Sequence, residues 1–389
     1  MHKNPNNFLD MNMGSSYYDM YTTKNFSLKS SSKTVQLLRS ATKWSCDLKN
    51  TENSILNGYY HLIENSKHYI YIENQFFVSR SYSDEELSFN PSLQKQEPIY
   101  NRIAEKLYQR IVKAYDNQEK FRVFVFIPLL PSFEGDIQNS PTLQVILKYT
   151  YCGICRNNSF SLIEKLERKM GNLWKEYLFF FSLRTHATIN DVPVTEMIYI
   201  HSKLMIVDDD YVLLGSANIN DRSLKGTRDS EVAIIVTDEE KALGTIDNQK
   251  IEISQVAKDL RIRLMQEHLG LLGDRNNDFL SNENLDDPLL DILFTGMKTI
   301  AANNTVIYRK VFGCYPDDLY TRFKDIKVVN GFDPSVNPEI IEKLKEKYHQ
   351  LKDGIIGNIV EFPLHFLEDE ILERPLFCKE KLVPIKNFT

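Results

Sequence analysis

His201 and Lys203 stand two residues apart in the string HSKLMIVDDDYVLLGSANINDRSLKGTRDSE, residues 201 to 231. In an extended strand, residues i and i+2 share a face. An imidazole and an ammonium can therefore reach one point together. An apolar run follows, Leu204 to Val207, and then Asp208. After a short turn a second apolar run, Tyr211 to Leu214, ends in Gly215-Ser216-Ala217-Asn218. The pattern predicts strand, turn, strand, and a small-residue loop carrying a hydroxyl and an amide. These four side chains, gathered at one point, suit a tetrahedral oxyanion. Lys203 supplies charge, and Ser216 and Asn218 supply neutral donors. His201 can attack phosphorus or carry a proton.

The string has the form H-x-K-x(4)-D followed by G-S-x-N, and it resembles the HKD motif of the phospholipase D superfamily. Its wider context, GSANINDRS and GTRDSE, is similar to the second HKD motif of eukaryotic phospholipase D. The stretch from Trp44 through Phe77, with its IENQFF string, resembles the segment that opens the second catalytic half of those enzymes. The strings IPLLPSFEGD and Arg184-Thr185-His186 are also similar to the family. The resemblance runs from about Leu38 to Thr389, but only to the second half of the family enzyme.

Phosphodiester cleavage through a histidine nucleophile needs two proton-transfer partners. One imidazole attacks phosphorus and forms a phosphoryl-histidine. A second protonates the leaving alcohol and then activates water or another alcohol. Lysines and neutral donors offset charge on the non-bridging oxygens. This chain carries one set: His201, Lys203, Ser216 and Asn218. Glu231 is expected to hold the imidazole's orientation and favour its charged form. Asp208 completes the motif and is counted with the site. Its place beyond the strand suggests a structural ion pair more than contact with substrate. His201-Ser202-Lys203 is the only H-x-K in the sequence. The family's layout sets two HKD motifs across one cleft and gives the second-half histidine the acid–base role. Three explanations stay open: the chain is the carboxyl half of a longer phospholipase D, it pairs with a second copy of itself, or it is a catalytically incomplete lipid- or protein-binding module.

The elements that must position these residues follow from periodicity. Residues 1 to about 35 read as a disordered, polar, Asn- and Ser-rich stretch. Thr51 to Ser66 predicts a helix with Ile55, Tyr59, Leu62 and Ile63 on one face, capped by Asn50 or Thr51. His68 to Phe77 predicts a buried strand ending in Glu73, Asn74 and Gln75. Polar groups at a strand's end commonly project into a site, so these three are candidate substrate-binding residues. Residues 80 to 98 read as a surface loop. A helix follows over Ile99, Ile103, Leu107 and Ile111, then a strand over Arg122 to Ile127 and a loop with Glu134, Gly135 and Asp136. Leu143 to Tyr149 predicts a helix, Tyr177 to Leu183 a strand, Glu231 to Val236 a strand and Val256 to Leu269 a helix. His186 alone reads as structural. A last helix is expected from a cap at Asn337 to Gly354.

The fold expected is α/β: a mixed sheet flanked by helices, the phospholipase D-like α/β/α sandwich, with a smaller C-terminal lobe of helix and loop. Its divisions are a disordered 1–35, an HKD domain over 36–270 and a lobe over 271–389. Leu382 to Thr389 resembles the family's C-terminus, which packs back on the catalytic core.

Composition narrows the partners. With 389 residues, 42% hydrophobic and 26% charged, the chain is an ordinary globular protein. A net charge of -6 argues against a generally basic nucleic-acid binder. No apolar run approaches the roughly 18 residues of a membrane span. Five cysteines suit a reducing compartment. Cys152 and Cys155 form C-x-x-C with no second pair, which reads as two packed thiols, and no metal or other cofactor is expected. The resemblance implies a phospholipid substrate, phosphatidylcholine by analogy, with phosphatidic acid or a transferred phosphatidyl group as product. It also implies a cytosolic enzyme peripheral on intracellular membranes, partnered by a first-half HKD domain or a second copy.

Overall fold

The computed structural model describes residues 32–94, 99–133, 136–272, 277, 279–326 and 338–372. The first element among the described residues is β1 (Lys33–Ala41), which starts two residues before the expected Val35. The rest of the stretch expected to be disordered, residues 1–31, lies outside the described residues. Next come α1 (Lys43–Cys46), β2 (Glu52–Asn53) and α2 (Ser54–Asn65). The expected apolar face of α2 is buried, with Asn53 as its N-cap in place of Asn50 or Thr51. β3 (Tyr69–Asn74) is buried throughout.

The stretch expected as a surface loop is partly core and partly helical. Ser79, Arg80 and Ser81 are buried, and α3 (Asp84–Phe89) and α4 (Pro91–Gln94) follow. Ser83 and Glu86 close a capping box at the start of α3. That S-x-x-E signature marks a helix start, but the charged composition around it masked the signal. Then follow α5 (Ile103–Asp116), β4 (Arg122–Phe126), α6 (Pro141–Ile154) and α7 (Leu162–Met170). β5 (Leu178–Ile189) and β6 (Val192–Met197) form a hairpin that outruns the expected strand. The motif occupies β7 (Lys203–Val207), β8 (Tyr211–Gly215), α8 (Asp221–Leu224) and β9 (Glu231–Asp238). β10 (Ala242–Ile246) pairs with β11 (Gln249–Ile253), and α9 (Gln255–His268), α10 (Asp291–Phe312), α11 (Pro338–Leu351) and β12 (Ile359–Glu361) complete the chain.

The main sheet runs β12-β5-β4-β3-β7-β8-β9-β1-β2, with β6 beside β5. β3, β4 and β5 are mutually parallel, and the other pairings are antiparallel. The sheet is therefore mixed, as expected. One face carries Ile70, Ile72, Met205, Val207 and Leu213 against α2, α5, α6 and α7. The other carries Tyr69, Tyr71, Leu204, Ile206 and Val212 against α9 and α10. Alternation along each strand divides the side chains in this way, giving three layers, α/β/α.

The segment after residue 270, expected as a lobe, enters the sheet itself. β12 pairs with β5, Ile359 opposite Leu183, and α10 supplies Phe294, Met297, Ile300 and Ala301 to the core beneath. α11 starts at Pro338 as expected. Its expected cap at Asn337, the loop residues Glu134 and Gly135, and the tail Leu382 to Thr389 lie outside the described residues. Among the described residues no helix is long and apolar enough to cross a membrane.

Candidate functional site

Strand direction gathers the motif at one end of the sheet. β3 runs into that end and finishes at Asn74, where its antiparallel neighbour β7 begins with Lys203. β8 finishes there at Gly215, and β9 begins there with Glu231. Asp208, at the other end of β7, lies a strand length away.

Lys203 extends its ammonium to the Gln75 amide, with Nζ 2.7 Å from Oε1, and also donates to the His201 carbonyl. Gln75 is held in turn by its own amide nitrogen, which donates to the Tyr199 hydroxyl at 2.8 Å. Burial lowers the Lys203 pKa, and the nearby charge of Glu231 acts against that shift. An ammonium has three donors, and two of them are used among the described residues. The His201 ring is exposed, 6.2 Å from the Tyr199 ring centroid to centroid. Among the described residues its imidazole has no hydrogen-bond partner, which leaves it open to a reacting group.

Ser216 follows β8 and is fastened to β9. Its backbone N–H donates to the Val232 carbonyl at 3.0 Å, and its hydroxyl accepts from the Val232 N–H at 3.1 Å. The same hydroxyl donates to Glu231. This close seating depends on Gly215. A Cβ there would lie 2.4 Å from the Val232 oxygen and 2.5 Å from the Ala233 Cα. Backbone atoms yield poorly, so Gly215→Ala is expected to cost about 1–3 kcal/mol and to lower the thermal midpoint. A melting curve checks this.

The structure reassigns four of the expected residues. The Glu231 carboxylate accepts from Ser216 and from the Ser223 hydroxyl at 2.7 Å, not from the His201 imidazole. It orients the Ser216 loop and adds negative charge beside Lys203. Among the described residues Asp208 makes no ion pair and no hydrogen bond to the other motif side chains. It accepts the backbone N–H groups of Lys67, His68 and Tyr69 at 2.6, 2.8 and 2.8 Å, and so caps the start of β3. Glu73 points to the α9 face of the sheet, where its oxygens are taken by Tyr71, His268 and Ser202. Asn74 is fully buried, and its Oδ1 accepts from the Ile219 and Phe76 N–H groups. That bond staples the loop after β8 to the end of β3. Of the three polar residues at the end of β3, Gln75 alone joins the Lys203 cluster. Asn218 is half-buried in the stapled loop, and its Oδ1 has no partner among the described residues.

Tyr199, Ser202, Ser223 and His268 were not singled out from the sequence. Tyr199 sits two before His201 in the stretch between β6 and β7, outside any strand, so strand alternation does not mark it. His268 lies 195 residues from Glu73, and no local pattern announces it. His186 meets the Tyr348 hydroxyl at 2.9 Å, which fits a structural role. Cys152 and Cys155 are free thiols, raised by burial to about 11 and about 12, and no metal-holding cluster is found among the described residues.

Lys203 carries a pH signature. Its lowered pKa means that the proton leaves at lower pH than from an ordinary lysine. Affinity for tungstate, a tetrahedral dianion, is therefore expected to fall early as pH rises. In Lys203→Arg the guanidinium keeps its charge and that decline should vanish. A calorimetric titration across alkaline pH checks both.

The family model described as Phospholipase D matches residues 10–196 and 193–286. Phospholipase D1 from Mus musculus is 41% identical over 359 residues, covering 91% of this chain and 31% of that protein. Phospholipase D2 from Bos taurus is 37% identical over 360 residues, covering 92% and 36%. Phospholipase D zeta 2 from Arabidopsis thaliana is 35% identical over 357 residues, covering 88% and 32%. The chain spans about a third of the length of these curated relatives.

Proposed function

The chain belongs to the phospholipase D family, and from that premise we propose that it supplies one catalytic half of a phospholipase D. The substrate proposed is phosphatidylcholine, cleaved to phosphatidic acid and choline, with transfer to primary alcohols as the companion reaction. The observation that carries this reading is that Lys203, next but one to the exposed His201, and the loop with Ser216 and Asn218 lie at the same end of the sheet.

One imidazole attacks phosphorus while the P–O bond to choline breaks, and the second imidazole gives that oxygen its proton. Water or an alcohol, deprotonated by the second imidazole, then displaces the first from phosphorus. His201 takes the acid–base position. Lys203, and Asn218 through its amide, face the non-bridging oxygens, whose charge grows in the transition state.

A single imidazole cannot serve both roles at once, so the site needs a partner HKD domain: a first-half domain, or a second copy of this chain. A surface on the α9 face of the sheet, reaching the site end at Leu214 and Val232, supports such pairing. Val35 (54% exposed), Leu37 (59%), Leu214 (38%) and Val232 (56%) lie on one face of three adjacent strands. Contiguous exposed aliphatics mark an interaction surface. The work takes place at a membrane surface, which the protein would meet peripherally. The test is choline release from phosphatidylcholine vesicles by the chain mixed with a polypeptide carrying the other HKD motif. Release is expected from the mixture. A mixture that forms a stable complex yet releases no choline would refute the assignment.

A further inference from the structure

On the α9 face of the sheet, turned away from Lys203, a carboxylate and an imidazole are buried together. Glu73 and His268 are 5% exposed each. His268 Nε2 lies 2.7 Å from Glu73 Oε1, and the Tyr71 hydroxyl donates to the same oxygen at 2.5 Å. The other oxygen, Oε2, accepts from the Ser202 hydroxyl at 2.8 Å. Burial opposes ionisation of Glu73. The bonds from His268, Tyr71 and Ser202 overcome that opposition and hold its carboxyl below the ordinary value. Burying a carboxylate is costly unless its lone pairs are met, and these three partners meet those of Glu73.

The placement of Ser202 gives the cluster a use. Ser202 is the residue between His201 and Lys203. Its carbonyl accepts from the Gln75 N–H at 3.1 Å, which extends the β3–β7 ladder one step beyond Lys203 and Asn74. His268 is itself fixed: its ring lies 4.8 Å from the Phe126 ring, and its carbonyl accepts from the Asn358 N–H at 2.8 Å just before β12. An unbroken chain of contacts thus runs from the β12 edge through α9 and Glu73 to the backbone between the two motif side chains. We propose that Glu73 and His268 are positioning residues, which grip Ser202 and thereby set where His201 and Lys203 stand. The inference rests on the reading of His201 and Lys203 as the oxyanion site.

The test uses Ser202→Ala, which deletes one hydroxyl from a half-buried position, in the full chain. The readouts are the His201 ring C–H resonances, assigned by their loss in His201→Gln, and the dissociation constant for tungstate. Ser202→Ala should melt within a few degrees of wild type. It should shift or broaden the His201 signals while those of the exposed His61 and His365 stay put, and weaken tungstate about tenfold. Glu73→Gln should act in the same direction, and the double variant should lose little more, because one linkage is broken either way. Ser202→Thr, which keeps a hydroxyl, should restore affinity to within about twofold of wild type. His201 signals and tungstate affinity unchanged in Ser202→Ala would overturn the proposal. Wild-type chain that ignores tungstate would instead sink the oxyanion reading, and the His201 signals would still decide whether Ser202 positions that ring.

Discussion

His201→Ala is expected to lower phosphatidyl transfer in the paired enzyme by about 10⁴-fold or more. A positioned proton donor and acceptor contributes roughly 10²–10⁴-fold, and groups that act as a unit lose nearly all of their joint effect when one is removed. The imidazole is exposed and without a hydrogen-bond partner among the described residues, so its loss should leave the fold intact. Lys203 stays anchored to Gln75 without it. Tungstate binding should therefore survive in His201→Ala far better than turnover does. Initial rates and a tungstate titration on the same preparation separate the two effects. A variant that has lost both equally would point to collapse of the loop rather than removal of a proton carrier.

The largest stability effect is expected at the other end of the sheet. Arg261 and Asp209 are fully or almost fully buried and form a bidentate pair, with Nε–Oδ1 and Nη2–Oδ2 both at 2.7 Å. The Tyr69 hydroxyl donates to Asp209 at 2.5 Å, and Arg261 also reaches the Leu285 carbonyl at 2.6 Å. The arginine thus joins α9, the β7–β8 turn and the segment before α10. Removing one partner strands the other's charge without water, so Arg261→Met should cost about 3–5 kcal/mol. Asp209→Asn should cost less than Arg261→Met, because Asn tolerates the positive φ of 50° at this position and keeps an acceptor for Tyr69. In the double variant Asp209→Asn, Arg261→Met, no charge is stranded, and part of the loss should return. Denaturant midpoints across this cycle give the coupling. Single losses that add in the double variant would show that the two groups act independently.

Much of this architecture is legible in the chain because it is local. The H-x-K pair, the apolar runs of β7 and β8, and the Gly215 loop are contiguous in sequence and contiguous in space. Alternation placed Lys203 at the site, and a 3.6-residue period placed α2 and α5. What escaped was set by contacts distant in sequence. β1 is a strand because it lies along β9, about two hundred residues later, with Lys33 opposite Asp238. β12 is three residues long and takes its identity from the free edge of β5. α10 went unmarked because its buried face mixes Phe294 and Ile300 with Gly296 and Asn304, whose amide serves the Ile356 and Ile359 carbonyls. At the candidate site the sequence shows residue types but not the directions in which their side chains point. Glu73, Asn74 and Gln75 are consecutive, yet alternation and the end of the strand send them to the α9 face, into the core and to Lys203 respectively. The acidic residues of the motif were assigned by charge, whereas the structure uses Asp208 for backbone amides and Glu231 for hydroxyls.

The central claim is that this chain holds one of two histidines needed for one phosphodiesterase site. Its most direct test is transphosphatidylation of phosphatidylcholine vesicles with a primary alcohol, with molar mass measured on the same sample. The account predicts no transfer by a strict monomer. It predicts transfer once the chain is paired with a first-half HKD polypeptide or with itself, and loss of that transfer with His201→Ala in this chain. Transfer by a monomer, or transfer in the paired sample that survives His201→Ala, would contradict it.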